Sequence, residues 1–370
     1  AAHEHRDVSR VPRMVWRGMV GLFAVVLVGA CAWSWPQAQR ALQRVRRGES
    51  LEVKALWCQQ GPPPPPIWGA DAGGSPVAVK VMTFNLFWWS LFDSRQGNGD
   101  SAEKLIDMVG AKEPYDVLGF QECQNIALVL KVAKMSGDYE GFQGPASLCM
   151  AYNKSTWHLD SHGAEAVAED QHSQYFGKRF GQWMRLRNKA TGKMLFFLNH
   201  HGPLPVNTGG LCGGAETAHH LLRIISVYGK QGDTVILVGD FNANSVSLTL
   251  PELQRGGLFR VFTGMMGGGI DNIFSNVAKP SILCTANLGH GGSDHDALDA
   301  VIQMGPPNPP LKSSCGASAV PAAPYYVEGY PDPCSCHCNW VTPDACKGKG
   351  DDTCCWKGCC NKGKPPPAAT

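Results

Sequence analysis

The sequence predicts an α/β domain in the middle of the chain, flanked by proline-rich tethers and a small cysteine-rich module. Three observations lead there. Two proline runs, Pro62 to Pro66 and Pro306-Pro307-Asn308-Pro309-Pro310, bracket the one stretch long enough for a large globular body, because polyproline is stiff and extended. Between them, short runs rich in β-branched and aromatic residues alternate with runs of helical spacing, the interleaving expected of mixed α and β layers. The chain has 370 residues and is 44% hydrophobic, enough for one substantial core with appendages.

Residues 1–36 precede every predicted globular element. Gly18 to Trp35 carries no charge, follows Arg13 and Arg17, and places Leu22-Phe23-Ala24-Val25-Val26-Leu27-Val28 ahead of Ala30-Cys31-Ala32. A basic flank, an apolar centre and small residues at its end read as a secretory signal peptide. An uncleaved signal anchor stays open, because about 20 apolar residues can span a bilayer. Arginines on both flanks leave its orientation open too. Val28-Gly29-Ala30-Cys31 also loosely resembles a bacterial lipoprotein cleavage box. Met14 stands just before the apolar run, so residues 1–13 are read as lying upstream of the true start, or the chain as a fragment. Residues 37–76 form a polar stalk ending in polyproline.

Within 77–304, the runs 77–84, 117–120, 148–152, 194–199, 234–238 and 270–274 are short, β-branched or aromatic, and bounded by Gly, Pro or Asp. They are read as strands. Residues 102–110, 125–135 and 216–228 show helical spacing. The segment carries eighteen Lys plus Arg against twenty-one Asp plus Glu, which excludes the strongly basic body of a tight, sequence-blind nucleic-acid binder. Transient contact with a polyanion remains compatible with it.

Polar clusters stand where these runs end or just beyond: Asn85, Gln121-Glu122, Gly239-Asp240-Phe241-Asn242 and Ser293-Asp294-His295, with His200-His201 between the second and third. Strand ends are where loops gather and catalytic residues concentrate. A carboxylate such as Glu122 closing an apolar strand can hold a hard cation that prefers oxygen ligands; an acid there also suits a helix N-terminus. Gly239 permits close backbone approach, and Asp240 and Asn242 project from one side of an extended segment. A carboxylate so placed can orient or deprotonate water, and an amide can donate to a phosphate oxygen. Adjacent Asp294 and His295 point in opposite directions and can serve a cation and a phosphate respectively. No Ser, Cys or Thr near these clusters has a triad arrangement, which argues against serine-hydrolase chemistry.

As an ordered set, these clusters resemble the endonuclease/exonuclease/phosphatase superfamily, the metal-dependent phosphodiesterases that include pancreatic-type deoxyribonuclease and neutral sphingomyelinases. The resemblance covers roughly residues 77–304 and implies a four-layered sandwich of two mostly antiparallel sheets flanked by helices. It implies Mg²⁺, or Mn²⁺ or Ca²⁺, at Glu122 with Asn85 beside it and Asp294 facing the metal or a water. It implies catalytic roles for Asp240, Asn242 and His295, with Asp271 of Gly269-Ile270-Asp271-Asn272 pairing with His295. One further histidine is implied after the run 194–199. Spacing from Asn199 favours His201, spacing back from Pro203 favours His200, and His201 is preferred. His219-His220 is read as a surface pair.

Substrate is less constrained. Residues 171–189 are read as a lid carrying Lys178, Arg179, Arg185 and Arg187 with Tyr175, Phe176, Phe180 and Trp183 interleaved. Lys178, Arg179 and Tyr175 are the candidate substrate contacts, suited to clamping phosphates and stacking bases; a lipid head group, or a half-buried strand with solvated charges, fits the same pattern. Gln124 stands where the deoxyribonuclease branch carries an arginine, which argues against duplex-groove contact by that route. The reading is a secreted or membrane-anchored monomeric nuclease. A sphingomyelinase-like or phosphoinositide-type phosphoesterase is the alternative, and a catalytically silent binding protein the alternative of another class. Residues 305–333 are a Pro/Ala/Ser-rich linker, and 334–362 hold eight of the fifteen cysteines. Behind a secretory leader these read as four disulfides in a module too small for its own core, with an unknown ligand; a zinc or copper thiolate cluster is the rival.

Overall fold

The computed structural model describes residues 58, 64–87, 114–290, 293–312 and 315. The apolar N-terminal segment, the run 102–110 read as a helix, and the cysteine-rich tail lie outside them. Among the described residues no helix is long and apolar enough to cross a membrane.

The strands in chain order are β1 (Val77–Asn85), β2 (Val117–Gln121), β3 (Tyr139–Gln143), β4 (Cys149–Asn153), β5 (Trp157–Glu169), β6 (Lys178–Asn188), β7 (Met194–His201), β8 (Thr234–Asp240), β9 (Phe259–Thr263), β10 (Asp271–Ser275), β11 (Ile282–Gly289) and β12 (Ala297–Met304). The α-helices are α1 (Ile126–Val132), α2 (Gly214–Tyr228) and α3 (Thr249–Arg255). Two six-stranded sheets result, ordered β11-β12-β1-β2-β4-β3 and β5-β6-β7-β8-β10-β9. Only β1 with β2 and β7 with β8 pair in parallel; every other pair is antiparallel.

Alternation along the strands builds the layers. Val79 and Val81 of β1 and Ile236 and Val238 of β8 meet in a core between the sheets, with Phe197 and Ile302. Met82 and Phe84 of β1 turn outward onto Ile126, Val129 and Leu130 of α1. Val235 and Leu237 of β8 turn outward onto Leu221, Ile225 and Leu253 of α2 and α3. The central strands are therefore buried on both faces, which makes them continuous apolar runs in sequence. The Asn125 side chain caps α1 by accepting from Leu128 N at 3.0 Å, and the sequence-predicted four-layer sandwich is what forms.

The folded body reaches past 77–304 at both ends. Ile67 is buried among α2 and α3 residues, Trp68 Nε1 donates to Asp233 O at 3.0 Å, and Leu311 N donates to Gln303 Oε1 at 2.7 Å. Three disulfides, Cys58–Cys212, Cys123–Cys149 and Cys284–Cys315, engage every described cysteine.

Two expectations change. Most of the expected lid is β6, held between β5 and β7. Trp183 stacks between Phe196 and Tyr228 at 5.7 and 4.5 Å, and Arg185 forks onto Asp233 at 2.7 and 2.9 Å. The interleaved charges and rings thus mark a strand whose alternate residues are paired, leaving residues 171–177 as the loop. His219, expected at the surface, is buried on α2.

Candidate active site

The two parallel strand pairs bring four C-terminal ends to one side of the sandwich. Asn85 lies opposite Gln121, His201 opposite Asp240, and Asp271 opposite Asp240 from the antiparallel neighbour. The sheets are locked together just beneath. Gln121 Nε2 donates to Asn199 Oδ1 at 2.6 Å, and Asn199 Nδ2 donates to Phe120 O and Cys149 O at 2.9 and 3.0 Å.

Local backbone is specialised here. A Cβ on Gly239 would lie 1.9 Å from His200 O, and one on Gly202 would lie 1.7 Å from Phe241 O, so only glycine lets these chain segments meet. Glu122 and Asn242 adopt left-handed φ of 51° and 45°, a cost of roughly 1–3 kcal/mol each that the surroundings must hold. The Cys123–Cys149 bridge and a bond from Cys123 N to Ser147 O at 2.8 Å hold the first. Asn242 N to Asp240 Oδ1 at 2.8 Å and Asn242 Nδ2 to Gly202 O at 3.0 Å hold the second.

Asp240 Oδ2 is the focus. Asn85 Nδ2 donates to it at 3.1 Å, and the Nε2 atoms of His201 and His295 stand 3.4 and 3.7 Å away. Burial pushes the Asp240 carboxyl up, but His295, His201 and the Asn242 N–H outweigh that and hold it well below its ordinary value. His295 Nδ1 donates to Asp271 at 2.9 Å. Burial opposes the charge on His295, yet the Asp271 and Asp240 carboxylates raise it to about 10. Ser293 Oγ donates to Asn85 O at 2.6 Å and accepts from His295 N at 3.1 Å, so this hydroxyl is a brace between two clusters.

A second acidic group lies alongside. Asn85 Nδ2 also donates to Glu122 Oε1 at 3.2 Å. The Asp294 carboxyl is raised by burial, against the pull of His295, and further by the like charge of Glu122. Its Oδ1 is buried without a hydrogen-bond partner. Two neighbouring carboxylates, one with an oxygen that accepts no hydrogen bond and has only His295 Nε2 at 3.9 Å, suit a hard divalent cation with oxygen ligands. Asp240, Asp271 and His295 also place ligand atoms within 4.8 Å of one another, but His295 Nδ1 is already committed to Asp271. The Glu122–Asp294 side therefore fits a cation better. Asn85 stands beside this pair as a donor to carboxylates, with its Oδ1 accepting from Phe87 N at 3.0 Å.

The structure thus brings together Asn85, Glu122, Asp240, Asn242, Asp271, Asp294, His295 and His201. His200 turns the other way: its Nδ1 donates to Phe180 O at 2.9 Å, and burial lowers it to about 4. Alternation along β7 puts His201, and not His200, on the side of the Asp240 carboxylate. Lys178 and Tyr175 are exposed on and beside the loop 171–177. Arg179 is not a surface contact: it is 6% exposed and forks onto Asp170 at 2.8 and 3.0 Å. Asp170 escaped the sequence reading because a lone acid between a strand and a loop carries no motif.

Fold and site together define a phosphoester-hydrolase class of two-sheet sandwich. The chain belongs to the Endonuclease/Exonuclease/phosphatase family, which it matches over residues 82–295; members hydrolyse phosphoester bonds and generally use divalent metal ions. Among solved structures it is similar to an endonuclease/exonuclease/phosphatase family protein from Bacteroides thetaiotaomicron, at 17% identity and TM-score 0.51, covering 62% of this chain and 99% of that one. A mannosyl-6-phosphatase of the same organism is 17% identical with TM-score 0.48, covering 60% of this chain and 99% of that one. D. rerio TDP2 complexed with single strand DNA product is 17% identical with TM-score 0.46, covering 60% and 98%. No curated protein matches the chain in sequence.

Proposed function

We propose that this chain is a divalent-cation-dependent phosphodiesterase acting on nucleic acid by direct attack of water. The observation that carries the reading is the convergence of Asn85, His201 and His295 nitrogens on Asp240 Oδ2 beside the Glu122–Asp294 carboxylates. Asp240, held ionised, orients the attacking water and takes its proton as the bond to phosphorus forms, while the leaving oxygen is protonated from solvent. His295 presents Nε2–H from a ring kept charged by Asp271, His201 Nε2 faces the same growing negative charge, and Asn242 Nδ2 keeps a second hydrogen beyond the one given to Gly202 O. A cation held by Glu122 and Asp294 would polarise the phosphoryl group. Among the described residues no side chain at the site is placed as a covalent nucleophile: Ser293 is spent on Asn85, and Cys123 and Cys149 are joined.

Nucleic acid is favoured as substrate class by the loop 171–177, where Tyr175 and Phe176 are 51% and 76% exposed next to Lys178. Adjacent exposed rings with a cation suit base stacking beside a phosphate. Three disulfides support an oxidising compartment, and with it a secreted or membrane-anchored protein. The test is the purified chain with Mg²⁺, Mn²⁺ or Ca²⁺ against single-stranded DNA, RNA, sphingomyelin and a phosphomonoester. Full activity in excess EDTA would sink the cation dependence, and preference for sphingomyelin would move the substrate to lipid.

A further inference from the structure

A buried ion pair stands behind His201, on the side away from Asp240. Asp170 is fully buried and accepts from Arg179 Nε and Nη2 at 2.8 and 3.0 Å. It also accepts from Leu204 N at 2.8 Å and from Phe176 N at 2.9 Å. One carboxylate thereby ties β6 to the loop on either side of the site. The remaining arm of the guanidinium, Nη1, lies 3.3 Å from His201 Nδ1.

A guanidinium has donors and no acceptor. His201 Nδ1 must therefore accept and carry no hydrogen, which leaves the ring hydrogen on Nε2, the atom 3.4 Å from Asp240 Oδ2. We propose that Arg179, clamped by Asp170, is a positioning residue that fixes His201 as its Nε2–H tautomer, so that His201 serves the reaction as a hydrogen-bond donor and not as a base. The two histidines are set by opposite devices. His295 Nδ1 gives its hydrogen to a carboxylate, Asp271, whereas His201 Nδ1 receives one from Arg179. Both present Nε2–H to the same point. A carboxylate in place of Arg179 would instead take the Nδ1 hydrogen and favour a charged ring, as Asp271 does for His295.

The effect on turnover rests on the proposed function, but the tautomer does not, and it is measured without substrate or added metal. The full chain labelled with nitrogen-15 histidine is examined by long-range proton–nitrogen correlation. The expected spectrum shows His201 with Nε2 protonated and Nδ1 bare; Nδ1 protonated in the wild type overturns the proposal. Arg179→Met is expected to give a mixture of tautomers and to lower kcat at least about tenfold while KM changes less than about threefold. Arg179→Lys keeps a donor and is expected to recover the Nε2–H form and most of kcat. An unchanged tautomer in Arg179→Met overturns the proposal even if kcat falls, since that loss would be structural. Should Arg179→Met fail to fold, with Asp170 left buried and unpaired, the wild-type spectrum still decides. The expected tautomer in a protein that hydrolyses no phosphoester would uphold this inference and overturn the function.

Discussion

Two adjacent residues, His200 and His201, show how much one strand alternation decides. His201 faces Asp240 at 3.4 Å, while His200 packs its ring edge-on against Phe241 at 5.5 Å. His201→Ala should therefore remove a transition-state contact and lower turnover at least a hundredfold, about 3 kcal/mol. Glu122→Gln should do the same while weakening Mn²⁺ binding in a calorimetric titration; unchanged Mn²⁺ affinity would move the cation elsewhere. His200 acts on stability. Its native value is about 4 against roughly 6.5 in the unfolded chain. Above pH 6.5 both states hold it neutral and it costs nothing. As pH falls from 6.5 to 4 only the unfolded chain gains the proton, so about 3 kcal/mol of stability is lost over that window. His200→Asn, which keeps a donor for Phe180 O, should flatten that part of the urea-denaturation profile relative to wild type; parallel profiles would show that the acid loss comes from another group.

At the scale of elements, the meeting of β7 and β8 depends on glycine. Gly239 and Gly177 both hold φ in the region that disfavours side chains, 149° and 124°, yet a Cβ on Gly239 meets His200 O at 1.9 Å and one on Gly177 meets nothing within 4 Å. Gly177→Ala should cost only conformational strain, roughly 1–3 kcal/mol, with activity kept. Gly239→Ala should cost more than about 3 kcal/mol and displace Asp240. Equal denaturation midpoints for the two variants would refute the crowding argument. The same comparison explains what was legible. Strands β1, β2, β7 and β8 read clearly because both faces are buried, and they carry or directly precede Asn85, Glu122, His201 and Asp240. Strand β5, Trp157–Glu169, is largely half-exposed, so its pattern fades into that of a loop. Strand β6 misled because Arg185 and Arg187 find Asp233 and Asp160, partners distant in sequence that no local window shows. Arg179 was legible as a cation but not as the partner of Asp170, because the loop 171–177 that folds the two together carries no motif. The cluster at Asp294 and His295 was legible as chemistry, but the eight-residue strand β12 that follows was not read.

For the whole molecule, the boundary of the folded body is set by covalent ties as much as by the sheets. Cys58–Cys212 spans 154 residues and Cys284–Cys315 spans 31. On a chain-entropy basis closing such loops stabilises by about 5 and about 4 kcal/mol respectively. Cutting the chain to 77–304 removes Cys58 and Cys315 together with Ile67 from the core and the Trp68 bond to Asp233. The hydrogen bonds of Ile67 and Trp68 go to Gly256, Asp233 and Asn276, not to the polar groups around Asp240. A chain of residues 58–315 should accordingly keep the turnover of the full protein on a small soluble phosphodiester, and 77–304 should unfold at lower urea with a stability loss of at least about 4 kcal/mol. Reduction of 58–315 under native conditions should bring its midpoint toward that of 77–304. If instead 77–304 matches 58–315 in stability, the sandwich closes without its outer staples; if 58–315 loses turnover on the soluble substrate, the cysteine-rich tail or the N-terminal segment takes part in the chemical step.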